Sequence, residues 1–165
     1  MNRFHIRPYT KSVIRTEFDC GQSELNSYIR HYATQDIKRN VARIFIATPE
    51  EQDTQLAGFY TLSAGSISCS ELPESLTKKL PRYPVPIAIL GRLAVDLKYQ
   101  GQGLGSILLA DACQRVAHAS KTLAVAGIVV DAKESAADFY RHFGFMPLNG
   151  ISNKLLLPIT YFAAG

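Results

Sequence analysis

Three glycines, Gly101, Gly103 and Gly105, stand at alternate positions in Gln100-Gly101-Gln102-Gly103-Leu104-Gly105, immediately before a helical pattern. Glycine tolerates the backbone turns that aim successive N–H groups to one side, and a helix start adds the positive end of its dipole. Such a loop can grip a phosphate-type anion. The neighbouring residues argue against two common phosphate loops. A P-loop ends in Lys and then Ser or Thr, whereas Gly105 runs directly into Ser106 and Ile107. A dinucleotide fingerprint needs its third glycine where Ser106 stands, and an acid about 20 residues on, where this chain is apolar. Metal chemistry has no ligand set: Cys20, Cys69, Cys113 and His5, His31, His118, His142 are scattered without Cys-x-x-Cys or paired-His spacing. The odd, dispersed cysteines also argue against a disulfide scaffold, and the histidines read as surface or structural residues.

The elements that must position this loop are legible as apolar patterns. Leu25, Tyr28, Ile29, Tyr32, Ala33 and Ile37 recur at helical steps, with Ser23 as the expected N-cap. Residues 43–48 and 56–63 read as an antiparallel hairpin across the polar turn 49–55, and residues 73–80 as a short helix. Pro81, Pro84 and Pro86 break the chain before a central strand over 87–95, whose single charge is Arg92. The glycine turn, 100–105, leads into a helix over 106–119 with Ile107, Leu108, Ala112 and Val116 as its buried stripe. A strand over 124–130, a helix over 134–142 and a last strand over 154–157 follow. Strands mixed with helices imply an α/β or α+β sheet.

The chain has 165 residues, 47% hydrophobic and 19% charged, with no repeat or linker to divide it. One globular domain over 1–165 is expected. No run reaches the roughly 18 apolar residues of a spanning helix, and the N-terminus lacks a signal-peptide core, so a cytoplasmic protein without a membrane partner is expected. The net charge is +4. Residues 1–43 carry eight basic against four acidic side chains, which accounts for all of the excess. Lys78, Lys79, Arg82, Arg92 and Lys98 form a second basic stretch around Asp96. This distribution suits a polyanionic partner, or else a solvated face with ordinary counter-charges.

Gln100-x-x-Gly103-x-Gly105 resembles the pyrophosphate-binding signature of the GNAT superfamily of N-acetyltransferases: Arg or Gln, two residues, Gly, one residue, then Gly or Ala. Its context is similar too. The loop follows Gly91-Arg92-Leu93-Ala94-Val95-Asp96, and Asp131-Ala132-Lys133 with Phe139-Tyr140-x-x-Phe143-Gly144-Phe145 look like that superfamily's fifth strand and closing segment. A narrower resemblance is carried by Phe18-Asp19-Cys20-Gly21, Gly58-Phe59-Tyr60-Thr61-Leu62-Ser63 and Arg82-Tyr83-Pro84-Val85-Pro86. These look like the GNAT toxins of bacterial toxin–antitoxin pairs, known for acetylating aminoacyl-tRNA and so stopping translation.

The resemblance implies a single-domain GNAT fold, a central mixed, mostly antiparallel sheet flanked by helices. It implies acetyl-CoA as co-substrate, with no metal. Gln100, Gly101, Gln102, Gly103, Leu104, Gly105 and Ser106 would hold the pyrophosphate, Leu93 and Val95 would pair with the pantetheine arm through their amides, and Ser135 would add a cofactor contact. Tyr140 takes the general-acid position; read by itself, beside Phe139 on an amphipathic helix, it is a core tyrosine sooner than an acid. An α-amine titrates near pKa 8, lower still beside an ester, so water suffices as base and Asp96, Asp131 and Glu134 read as turn, cap or surface residues. Lys38, Arg39, Arg43, Lys78, Lys79, Arg82 and Arg92 become candidate tRNA contacts, and Arg92 must meet either the acceptor end or a buried acid. A cognate ribbon-helix-helix antitoxin and a homodimer are implied as partners. Two alternatives stay open: a GNAT enzyme acting on a small amine or protein N-terminus, and an inactive binding module.

Overall fold

The computed structural model describes residues 3–77, 84–148 and 153–163, which fall into two compact units, Met1–Ser63 with Gly91–Ala112 and Ala64–Leu90 with Cys113–Gly165. In hydrogen-bonding order the strands run β1-β2-β3-β4-β5-β7-β6, a seven-stranded mixed sheet.

In the first unit, β1 (Phe4–Pro8), which the sequence pattern did not announce, pairs antiparallel with β2 (Arg43–Pro49). The expected hairpin forms, with β3 (Gly58–Ile67) antiparallel to β2 and Arg43 opposite Leu62. The first helical stretch comprises α1 (Ser23–Ser27), a π-helical turn (Tyr28–Tyr32) and α2 (Ala33–Lys38). Ser23 is not its N-cap. Gln22 occupies that position without a side-chain cap, and the loop is held instead by Asn26, whose Oδ1 accepts from the Cys20 N–H at 2.9 Å. Ile29 and Ala33 from the helical stretch, Ile44 and Ile46 from β2, Phe59 from β3 and Phe18 make the core.

The helix after the glycine turn, α4 (Leu104–Ala119), begins two residues earlier than the pattern suggested. Its buried stripe is Leu104, Leu108, Leu109, Ala112 and Val116, while Ile107 is 45% exposed. Leu108 already faces the sheet, and one helical step of about 100° turns its neighbour to solvent. Gly58 admits this packing: a Cβ there would sit 2.8 Å from the Ala94 carbonyl and 3.1 Å from Leu108.

In the second unit, α3 (Glu74–Thr77) is the described part of the short helix read over 73–80. β4 (Val85–Val95), of which residues 85–90 belong to this unit and 91–95 to the first, starts two residues before the expected strand and accommodates Pro86, whose carbonyl still accepts from Ala126. It pairs in parallel with β5 (Gly127–Asp131) over Ala88–Leu90. Strand β5 starts later than expected. α5 (Glu134–Phe143) ends at Gly144, whose φ of +114° makes the left-handed cap that L side chains rarely adopt. β6 (Met146–Pro147), also unannounced, and β7 (Lys154–Pro158) complete the sheet, with β7 antiparallel to both β5 and β6. Ile67, Leu72, Val85, Ile87, Val129 and Leu156 form this unit's core.

Candidate active site

The loop ahead of α4 has the conformation its glycines permit. Gly101 and Gly103 take φ of +83° and +80°, and a Cβ built at either would meet no heavy atom within 4 Å. The glycines are therefore needed for the turn itself and leave the space above it open. Among the described residues, the amides of Gly101 to Ser106 donate to no backbone carbonyl, and α4 carries its dipole through 16 residues behind them. Open space, free donors and a positive helix end fit a diphosphate.

Below the loop is a set of anchors. The Gln100 Nε2 donates to the carbonyls of Val95 (2.9 Å) and Cys20 (3.2 Å), so the side chain that opens the signature ties the loop to the strand end and to the segment before α1. The buried Asp96 carboxylate accepts from the Lys98 N–H (2.9 Å), capping the 3-10 turn Leu97–Tyr99, and from the Asp19 N–H (3.1 Å). Leu97 N–H returns a bond to the Asp19 carbonyl at 2.8 Å. Donation from Gly21 N–H and the Asn26 side chain holds the Asp19 carboxyl below the ordinary carboxylate range. Asp96 is thus a turn and cap residue, as expected from its sequence context. The Gln100–Cys20 and Asp19–Asp96 anchors left no sequence signal, because they cross 80 and 77 residues.

Leu93 and Val95 lie half-buried on β4, beyond the stretch of that strand paired with β5. Ala94 belongs to the core under the first helical stretch, and strand alternation puts Arg92 on that same face. Of the two partners considered for Arg92 from sequence, the structure supplies no buried acid among the described residues; it adds an aromatic one. Its guanidinium carbon lies 3.6 Å from the centre of the Tyr28 ring, and the Tyr28 hydroxyl donates to Asp36 Oδ2 at 2.7 Å. Burial, and then the bond to Asp36, push the Tyr28 hydroxyl well above its ordinary pKa. No acid lies within ion-pair reach of Arg92 among the described residues.

On α5, Tyr140 is 8% exposed, edge-on to Phe139 (5.1 Å between ring centres) and Phe145 (5.4 Å). Its hydroxyl bonds to no protein group among the described residues, and burial pushes its pKa up to about 12. It is a protonated phenol at any cellular pH. Ser135 is exposed in the first turn of the same helix.

Lys38, Arg39 and Arg43 are exposed at the end of α2 and the start of β2, with Arg43 donating to Asn40. Lys78, Lys79 and Arg82 lie outside the described residues. A cavity of about 540 Å³ is lined by Glu17, Glu51, Asp53, Phe18, Asp96 and Lys98 among others. Its acids repel a diphosphate, so the volume is no rival to the glycine loop.

Residues 40–147 match the acetyltransferase (GNAT) domain family. The tRNA-acetylating toxin of Mycobacterium tuberculosis (strain ATCC 25618 / H37Rv) is 37% identical over 131 residues, covering 79% of this chain and 76% of that protein. The solved structure of AtaT complexed with acetyl-methionyl-tRNAfMet is similar with a TM-score of 0.90 and 32% identity, covering 96% of each chain. A Tyr-to-Phe mutant of the AtaT toxin, bound to the C-terminus of the antitoxin AtaR and acetyl-CoA, is similar with a TM-score of 0.82 and 28% identity, covering 98% of this chain and 96% of that one.

Proposed function

Because this chain belongs to the GNAT acetyltransferase family, we propose that it is a toxin that transfers acetyl from acetyl-CoA to the α-amino group of aminoacyl-tRNA and thereby inhibits translation. The observation that carries the reading is the open, positively ended loop at Gly101–Ser106 with its free amides. The acceptor class is supported by the relative named for acetylating tRNA and by the AtaT complex with an acetylated aminoacyl-tRNA.

When bound, acetyl-CoA supplies an activated acetyl thioester. The Gly101–Ser106 amides hold its diphosphate, Gln100 keeps that loop fixed to Val95 and Cys20, and Ser135 adds a cofactor contact. The amides of Leu93 and Val95 hold the pantetheine arm, and the second polarises the acetyl oxygen. The neutral amine nitrogen of the acceptor forms the new C–N bond and gives its surplus proton to water. The C–S bond breaks with its electron pair on sulfur, and Tyr140 donates its hydroxyl proton to that sulfur. Lys38, Arg39, Arg43, Arg92 and, outside the described residues, Lys78, Lys79 and Arg82 contact phosphates, which positions the acceptor without reading its sequence.

The AtaT–AtaR complex supports an antitoxin partner, which we take to be a ribbon-helix-helix protein, and the toxin reading brings with it a homodimer. Residues 1–165 form one catalytic domain in this reading. No helix among the described residues is long and apolar enough to cross a membrane; the cytoplasmic site of action in this reading follows from its aminoacyl-tRNA acceptor.

Radiolabelled acetyl-CoA and bulk charged tRNA test the proposal. Label should enter charged tRNA, at a rate that falls steeply with salt. Acetylation of a small amine or a protein N-terminus with no salt dependence, and no label in any charged tRNA, would replace it with the general GNAT reading. Failure to bind acetyl-CoA would leave only a binding module.

A further inference from the structure

Arg92 is a half-buried cation on an apolar strand with all five N–H donors unspent among the described residues. A charge so placed is costly without compensation. The compensation is the Tyr28 ring: the guanidinium carbon lies 3.6 Å from its centre, over an aromatic face that attracts the cation without being a carboxylate that would take up its N–H donors. The ring is itself fixed. Its hydroxyl donates to the Asp36 carboxylate at 2.7 Å, a charge-assisted bond that enriches the ring in electrons, and its plane lies within 18° of Phe59 at 6.3 Å.

The backbone carrying Tyr28 is unusual as well. Tyr28–Tyr32 is a π-helical turn, a device that re-aims side chains and is frequent at functional sites. Arg15 holds it from outside, donating to the carbonyls of Ile29 and Arg30, each at 3.2 Å, and to Thr34 at 3.4 Å. The local register that sets Tyr28 against Arg92, and Asp36 two turns on, is therefore stapled in place.

We infer that Tyr28 and Asp36 are positioning residues for the acceptor: they hold the Arg92 guanidinium flat so that its N–H groups grip a phosphate at the charged end of the tRNA. A carboxylate partner in the same place would have consumed those donors and neutralised the charge. An aromatic face holds the group and leaves both available. This rests on aminoacyl-tRNA as the acceptor.

The test is steady-state acetyl transfer to bulk aminoacyl-tRNA by wild type, Arg92→Ala, Tyr28→Leu, Tyr28→Phe and Asp36→Asn, at several salt concentrations. Tyr28→Leu is expected to raise KM for aminoacyl-tRNA about tenfold, and Tyr28→Phe and Asp36→Asn about threefold, with kcat and KM for acetyl-CoA unchanged. The dependence of log kcat/KM on log salt should become shallower by about 0.7 in Arg92→Ala and in Tyr28→Leu, the share of one single-strand phosphate contact. Circular dichroism checks folding; if Tyr28→Leu does not fold, the near-isosteric Tyr28→Phe and Asp36→Asn decide on the KM split alone. Wild-type KM values in folded variants, or losses spread equally over both substrates, would reduce the cluster to core packing and overturn the inference. A wild type that labels no charged tRNA defeats the acceptor reading instead, and the two failures are thereby told apart.

Discussion

Replacing Tyr140 by Phe separates chemistry from folding, because its hydroxyl bonds to no protein group among the described residues and its removal orphans no partner. Both aromatic contacts, to Phe139 and Phe145, survive the change. The melting temperature near neutral pH should therefore stay within the scatter of a neutral substitution, while kcat falls by about 10² or more, the range for loss of a general acid. Alkaline pH supplies an independent check. Burial raises the folded pKa to about 12 from an ordinary value of 10, so the unfolded chain ionises first as pH climbs. This tyrosine's contribution to stability is present below 10 and is lost as pH rises through 12, amounting to about 1.4 kcal/mol at pH 11. Tyr140→Phe should remove that share of the alkaline loss, measurable by urea titration at pH 8 and pH 11. Activity in the wild type should rise with deprotonation of the acceptor amine and run flat through pH 10. A rate loss under about tenfold, or a fall in wild-type activity centred on pH 10, would refute the assignment.

Gly103→Ala must hold a non-glycine residue at a φ of +80°, which costs about 1–2 kcal/mol where the turn persists, or else lets the loop relax. KM for acetyl-CoA should rise at least fivefold with little change in KM for the acceptor, as read from initial rates with each substrate varied. Asp96→Ala leaves the N–H groups of Asp19 and Lys98 without their acceptor and should destabilise the protein by about 2–3 kcal/mol in a denaturant melt; an unchanged midpoint would refute its role as a clamp.

The sequence made legible what depends on local pattern. The hairpin, the glycine turn and the helices at 104–119 and 134–143 follow from apolar periodicity and from turn residues, and all form close to where they were expected. What failed depends on contacts distant in sequence. β1 has five residues whose only reason to be a strand is the β2 edge beside it, and β6 has two. Ser23 offered a good cap, yet Asn26 reached back to Cys20 and Asp19 and settled the helix start another way. At the site, the motif named the loop but not its anchors: Gln100 meets Cys20 across 80 positions, and Asp96 meets Asp19 across 77. Arg92 was recognised as a charge in need of a partner, but an aromatic partner 64 residues away on a π-helical turn leaves no periodic trace.

Strand β4 gives the proposed site its length scale. Arg92 and Val95 are three residues apart on an extended strand, about 10 Å at 3.3 Å per residue. In the proposed reading Val95 polarises the acetyl oxygen, so the amine being acetylated sits beside it and the phosphate gripped by Arg92 lies about that far away. This is the reach of one nucleotide with its esterified amino acid, which singles out the phosphate nearest the charged ribose over those of the stem. Aminoacyl-adenosine, which lacks that phosphate, should then be a poor acceptor that Arg92→Ala makes no poorer, while a short aminoacylated oligonucleotide ending in CCA should recover sensitivity to Arg92→Ala. Lys38, Arg39 and Arg43, exposed at the end of α2 and the start of β2, should matter only for acceptors that continue into a stem. Equal sensitivity of all three acceptors to Arg92→Ala would place its contact somewhere other than the terminal phosphate.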